Sequence, residues 1–199
     1  MPRNKNTVTS KAIAYRKVTS VIVKTITHND RKWREPWHTE DTAAEGAVGH
    51  RIERADSFFR GINARIVHQG NSAFYSPSDD SITLPPFTSF FRPVDYYATL
   101  AHEVAHWAHA PGRCDRKLWL FAENAYAFEE LVAELTAAYV CSYLGLELEW
   151  KIYFDHAPYL ASWLKSLNCR RSSAILVASS YAREATEYLI RESMRTAGA

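Results

Sequence analysis

The sequence predicts an α+β fold, with a small antiparallel sheet followed by a helical bundle. Three observations carry that reading. The chain has 199 residues, 47% of them apolar and 13% aromatic, enough for one ordinary domain with a core. Short β-like segments are grouped between residues 64 and 84, with turn chemistry at their boundaries. From Pro93 onward the apolar spacing is helical. Grouped strands followed by helices give segregated rather than alternating layers.

In chain order, residues 1–15 are polar and basic. Residues 17–27, KVTSVIVKTIT, are β-branched and read as a strand or as a short apolar segment of ambiguous type. Residues 35–50 contain Pro36, Gly46 and Gly49 and read as a linker, so the body begins near Arg51. Residues 51–61 place Ile52, Ala55, Phe58 and Phe59 on one helical face, with Gly61 as a stop. Three strands follow: Ala64–His68, closed by Gln-Gly-Asn; Ala73–Ser76, closed by Pro-Ser-Asp-Asp; and Ser81–Leu84, ended by Pro85-Pro86. A helix then runs from about Asp95 to His109 and stops at Pro111-Gly112. Further helices are expected at 122–144, stopped by Gly145, and at 157–167 and 172–192.

The net charge of +2 hides a division. Residues 1–34 hold nine Lys or Arg and one acid, Asp30, and the remainder holds 15 basic and 21 acidic residues. A basic arm of +8 therefore precedes a body of −6. That arm is a candidate for weak phosphate contact with DNA, with Trp33 and Trp37 near its end as stacking groups; its alternative is a solvated tail. Cys114, Cys141 and Cys169 lack CxxC spacing, which fits buried thiols in a reducing compartment. Neither a secretory h-region nor a membrane-length apolar run is present, and a cytoplasmic location is expected.

Residues 102–106 read His-Glu-Val-Ala-His. On a helix, positions i and i+4 share a face, so His102 and His106 can grip one ion. Glu103 then stands where it can act as general base. Two histidines and an acid at this spacing are the signature of zinc hydrolysis of peptides. A third ligand must come from another element. The candidates are His109, Asp115, Glu123, Glu129, Glu130, Glu134 and His156. His109 shares a helix with the pair and cannot converge with it. Residues 128–141 are mostly apolar, and carboxylates embedded there need partners. Glu130 is assigned as third ligand. Glu134, one turn later, is assigned to hold a ligand histidine through its other ring nitrogen. Glu129 is expected to face solvent or the helix edge. Arg113, Arg116 and Lys117 read as a surface patch, and Trp107, Trp119 and Trp163 as core.

The layout after the histidine motif resembles the gluzincin branch of zinc peptidases, with Glu130, Ala133 and Glu134 at the matching positions. Residues 96–107, Arg113 and Arg116, and residues 126–135 more closely resemble the metallopeptidase domain of the ArdC antirestriction and polyvalent proteins of plasmids and phages. Ala55-Asp56, Ala73-Phe74-Tyr75 with Pro77, Asp80 with Ile82, Pro85-Pro86, and His156 through Leu164 agree in order, so the similarity spans about residues 51–190. Two features depart from the family. About 50 residues stand where its members carry a single-stranded-DNA-binding domain, and the motif continues Trp107-Ala108-His109 instead of Trp-Thr-Gly.

The resemblance implies a zincin-like fold over 51–199 behind a basic arm of 1–50, and a plasmid or phage setting. Zn2+ held by His102, His106 and Glu130 would supply a water of lowered pKa. Glu103 would take its proton during attack on a peptide carbonyl. His156 and Tyr159 are candidate donors to the oxyanion. Ser81–Leu84 is the expected sheet edge for an extended protein or peptide substrate. The alternative is a DNA-associated or protein-binding module that keeps zinc for structure.

Overall fold

The computed structural model describes residues 50–116, 125–146 and 171–196. The segments predicted as a strand or short apolar segment at 17–27 and a helix at 157–167, with the basic arm, Trp119, Trp163, Cys169, His156 and Tyr159, lie outside the described residues.

The element order is α1 (Glu53–Arg60), β1 (Arg65–His68), β2 (Phe74–Ser76), β3 (Ser81–Leu84), a 3-10 turn (Phe87–Ser89), α2 (Pro93–His109), α3 (Ala125–Tyr143) and α4 (Arg171–Thr196). This is the expected α+β order. None of these helices is long and apolar enough to cross a membrane.

The sheet is mixed, not antiparallel. Its order is β1-β3-β2: β3 runs parallel to β1, pairing Arg65 with Ser81, and antiparallel to β2, pairing Tyr75 with Ile82. The turn residues at 69–71 reverse the chain, as expected. They carry it past the place β3 later fills, and the Pro77–Asp80 turn then brings β3 back between the other two. Turn chemistry fixes a reversal; it does not fix which strand becomes the neighbour. Asp80 has φ +47°, a left-handed conformation that Asp tolerates better than most residues. Ser81–Leu84 is therefore the central strand, and the edge assignment is corrected: β1 and β2 are the edges. All four residues of β3 are buried, as a strand paired on both sides requires.

The core joins α1, the sheet and the helices. Ala55, Phe58 and Phe59 of α1 meet Ile82 and Leu84 of β3 and Tyr97, Leu100 and Val104 of α2 in one cluster. Pro93 starts α2, where its fixed φ suits the first helical position, and Asp95 in the first turn pairs with Arg92 at 2.9 Å. Helix α3 packs against both α2 and α4 and is buried from Ala127 to Cys141 on nearly every side. Such a helix has no polar face to place its acids on. Ala178, Ala182, Ala185 and Leu189 give α4 a mostly small buried stripe, which lets its backbone come close. The Tyr139 hydroxyl and Ser179 Oγ, 2.7 Å apart, tie α3 to α4. Gly61 marks another close approach: a Cβ there would sit 2.3 Å from the Ser193 carbonyl oxygen of α4.

Candidate metal centre

The site forms where the C-terminal half of α2 crosses the first half of α3. His102 and His106 are one turn apart on α2, and their Nε2 atoms lie 3.0 Å from each other. Glu130 of α3 reaches both: Oε2 is 3.5 Å from His102 Nε2, and Oε1 is 3.6 Å from His106 Nε2. One donor atom from each of these residues falls within a 4.8 Å group. His109 is not in that group. Its members are the two histidines spaced one turn apart and the acid assigned from the sequence as their third partner.

The outer ring nitrogens explain what the inner ones need. His102 Nδ1 lies 3.2 Å from Glu134 Oε1, and His106 Nδ1 lies 3.2 Å from Glu129 Oε1. A carboxylate beside each Nδ1 favours a proton there, which would leave each Nε2 free to donate its lone pair. The two Nε2 atoms and the Glu130 carboxylate lie close enough together to share one cation. Imidazole plus carboxylate is a donor set suited to zinc and other transition ions. The residues present thus fit a divalent metal ion. The same field acts on protons. Burial opposes a charge on His102, but Glu134 and Glu130 overcome it and lift its pKa well above the ordinary histidine value.

Glu129 is not at a solvent face. It is buried at 8% exposure, and Arg116, read from the sequence as surface, is buried at 5%. Arg116 Nε donates to Glu129 Oε2 at 2.9 Å; Nη2 donates to Glu129 Oε1 and, at 2.8 Å, to the Ala105 carbonyl. Burial alone would raise the Glu129 carboxyl, but His106 and Arg116 hold it below the usual carboxylate range. The reason for both corrections is the same. Helix α3 is buried all round, so the demand for partners applied to Glu130 and Glu134 applies equally to Glu129. A cation had to come from outside the helix, and Arg116 was the available signal.

Glu103 is 7% exposed and accepts a hydrogen bond from the Tyr75 backbone N–H on edge strand β2. Burial raises its pKa. Tyr126, one turn before Glu130 on α3, is 72% exposed and hydrogen-bonds Glu130. Partial desolvation, then the Glu130 and Glu103 charges, push its phenol up. Its proximity to both acids was not read from the sequence; its i−4 spacing from Glu130 was the available cue.

Nearby, Arg113 donates to the Trp107 carbonyl and to Asp80, and its guanidinium stacks 3.9 Å over the Trp107 ring. Arg113 thus straps the β2–β3 turn to the end of α2. Trp107 itself is core, 4% exposed, as expected.

Comparison with known proteins agrees with this geometry. Residues 53–181 match the family model of a zincin-like metallopeptidase. The protein y4eC of Sinorhizobium fredii is 41% identical over 140 residues, covering 70% of this chain and 45% of that protein. DNA primase TraC of Escherichia coli is 42% identical over 118 residues, 58% of this chain and 8% of the primase. The crystal structure of the antirestriction protein ArdC from plasmid R388 superposes with a TM-score of 0.61 in its metal-free form, at 31% identity, over 81% of this chain and 56% of that one. Its Mn(II)-bound form gives 0.61 at 35% identity over 72% and 53%. The chain thus spans about half the length of ArdC and y4eC and a small part of the primase.

Proposed function

The chain belongs to the zincin-like metallopeptidase family, and on that premise we propose that it is a zinc-dependent peptidase of the ArdC-like antirestriction type. The observation that carries the reading is the convergence of His102 Nε2, His106 Nε2 and Glu130 beside a buried Glu103. A metal with no catalytic task has no use for a buried acid next to its ligands.

His102, His106 and Glu130 would hold the ion, with Glu134 and Glu129 orienting the two imidazoles. A bound zinc ion supplies Lewis-acid polarisation and brings the pKa of water towards about 7. The neighbouring metal-bound form of ArdC contains Mn(II), so manganese belongs among the ions tested. Glu103 Oε takes the proton of the attacking water and delivers it to the leaving amine. Burial raises its carboxyl above the ordinary value, which makes it a stronger proton acceptor. His156 and Tyr159 remain the proposed oxyanion donors, and Tyr126 adds a phenol on Glu130. Edge strand β2 offers main-chain pairing to an extended substrate, with Tyr75 beside the base.

The proposed organisation is a basic arm at 1–50 and a peptidase domain at 51–199, acting in the cytoplasm on a protein of a restriction or DNA-processing system. The experiment is the Glu103→Gln variant. Metal content by mass spectrometry should match wild type, while cleavage of a casein probe falls by about 100-fold or more. Undiminished cleavage in that variant would refute the mechanism.

The relation to TraC primases and the +8 arm favour a second reading, a DNA-associated module in which the metal is structural. It requires DNA binding that weakens steeply with salt and survives Glu103→Gln.

A further inference from the structure

We propose that Arg116 is a positioning residue for the metal ligand His106 and acts through Glu129. The inference rests on the reading of His102, His106 and Glu130 as the ligand set.

The local backbone aims Arg116 at this task. After α2 ends, Gly112 and Asp115 both have positive φ, +82° and +45°, and fold the chain back along the helix it has just left. Cys114 N–H returns to the Ala108 carbonyl and Arg116 N–H to the His109 carbonyl. The Arg116 side chain then lies inside, only 1% exposed. Its guanidinium engages both oxygens of Glu129 and the carbonyl of Ala105, the residue preceding His106. One planar group therefore fixes the carboxylate that holds His106 and the backbone from which His106 springs. A lysine has no fork to do both.

The placement also answers an electrostatic problem. Glu103, Glu129, Glu130 and Glu134 gather around two imidazoles. Glu130 is needed as a donor and Glu103 as a base. Glu129 is needed only for the direction of its oxygen, and Arg116 cancels its charge while fixing that direction. Without Arg116, Glu129 would be a buried carboxylate that keeps the His106 contact but loses its guanidinium counter-charge. It would relieve its burial by turning away, and His106 would lose the acceptor that holds its ring.

The test uses the full chain and Co2+ as probe, read by its visible d–d absorption and by titration. Thermal melting without metal provides a control for folding. Wild type should bind one ion, and His102→Ala should lose it. Arg116→Met should weaken binding by about 10–100-fold and alter the cobalt spectrum. Arg116→Met combined with Glu129→Gln should recover most of the affinity, because an amide oxygen still accepts from His106 and no buried charge is left. Arg116→Lys should fall between wild type and Arg116→Met. If Arg116→Met lowers only the melting temperature and binds Co2+ as wild type does, the positioning role is overturned. A double variant no better than Arg116→Met also overturns it. If Arg116→Met does not fold, wild-type affinity and an unchanged cobalt spectrum in Arg116→Lys overturn it. Absence of binding by wild type would remove the metal centre and this role together, whereas wild-type binding with an indifferent Arg116 removes this role alone.

Discussion

Glu129 and Glu130 are adjacent in sequence yet serve opposite sides of the same imidazole. Successive helical residues point about 100° apart, so Glu129 reaches Nδ1 of His106 while Glu130 faces its Nε2. A substitution at each should therefore fail differently. Glu130→Ala removes the proposed third ligand, and metal affinity measured by Co2+ titration should drop by more than 100-fold with little change in the metal-free melting temperature. Glu129→Ala strands the buried Arg116 cation, and the metal-free protein itself should lose about 3–5 kcal/mol in chemical denaturation. The proximity of His102, His106 and Glu130 was foreseeable because α-helical spacing is local. The Arg116–Glu129 pair was not, because it depends on a loop that doubles back after α2.

Among the elements, the strap between the β2–β3 turn and the end of α2 has a pH signature. The hydrogen bond from Arg113 depresses the Asp80 carboxyl; burial opposes it, and the Tyr75 hydroxyl adds to the depression. A depressed carboxyl stabilises the fold above its unfolded value of about 3.9 and loses that contribution as pH falls through the folded value. Asp80→Asn should melt below wild type near neutral pH, and the gap should close in acid. Equal gaps at both pH values would remove the strap. The order and near-boundaries of the described elements were legible from periodicity and turn residues. Strand order was not. Three short segments with turns between them fit a meander as well as β1-β3-β2, and only the complete burial of β3 distinguishes the middle strand.

At the scale of the molecule, the site belongs to a core closed by contacts distant in sequence. Gly61 at the end of α1 meets Ser193 near the end of α4 with no room for a side chain. Gly61→Ala should cost about 1–3 kcal/mol, read as a lower melting temperature, with the Co2+ spectrum of the folded protein unchanged. The division into a basic arm and an acidic body was legible from composition alone. Removing residues 1–50 should leave metal stoichiometry intact and abolish any salt-sensitive retention on DNA.

The docking of α4 on α3 also sets an order of events. Helix α3 is nearly all buried, and part of what buries it is made later than either α2 or α3. During synthesis the two helices that carry the proposed ligands therefore emerge before the helix that packs on α3. Long-range closure of this kind slows folding and leaves apolar surface exposed meanwhile. A metal ion arriving early would find the two histidines of α2 but no settled Glu130. Stable loading should accordingly follow the completion of α4, and a nascent chain stalled before residue 171 should remain aggregation-prone whether or not metal is supplied.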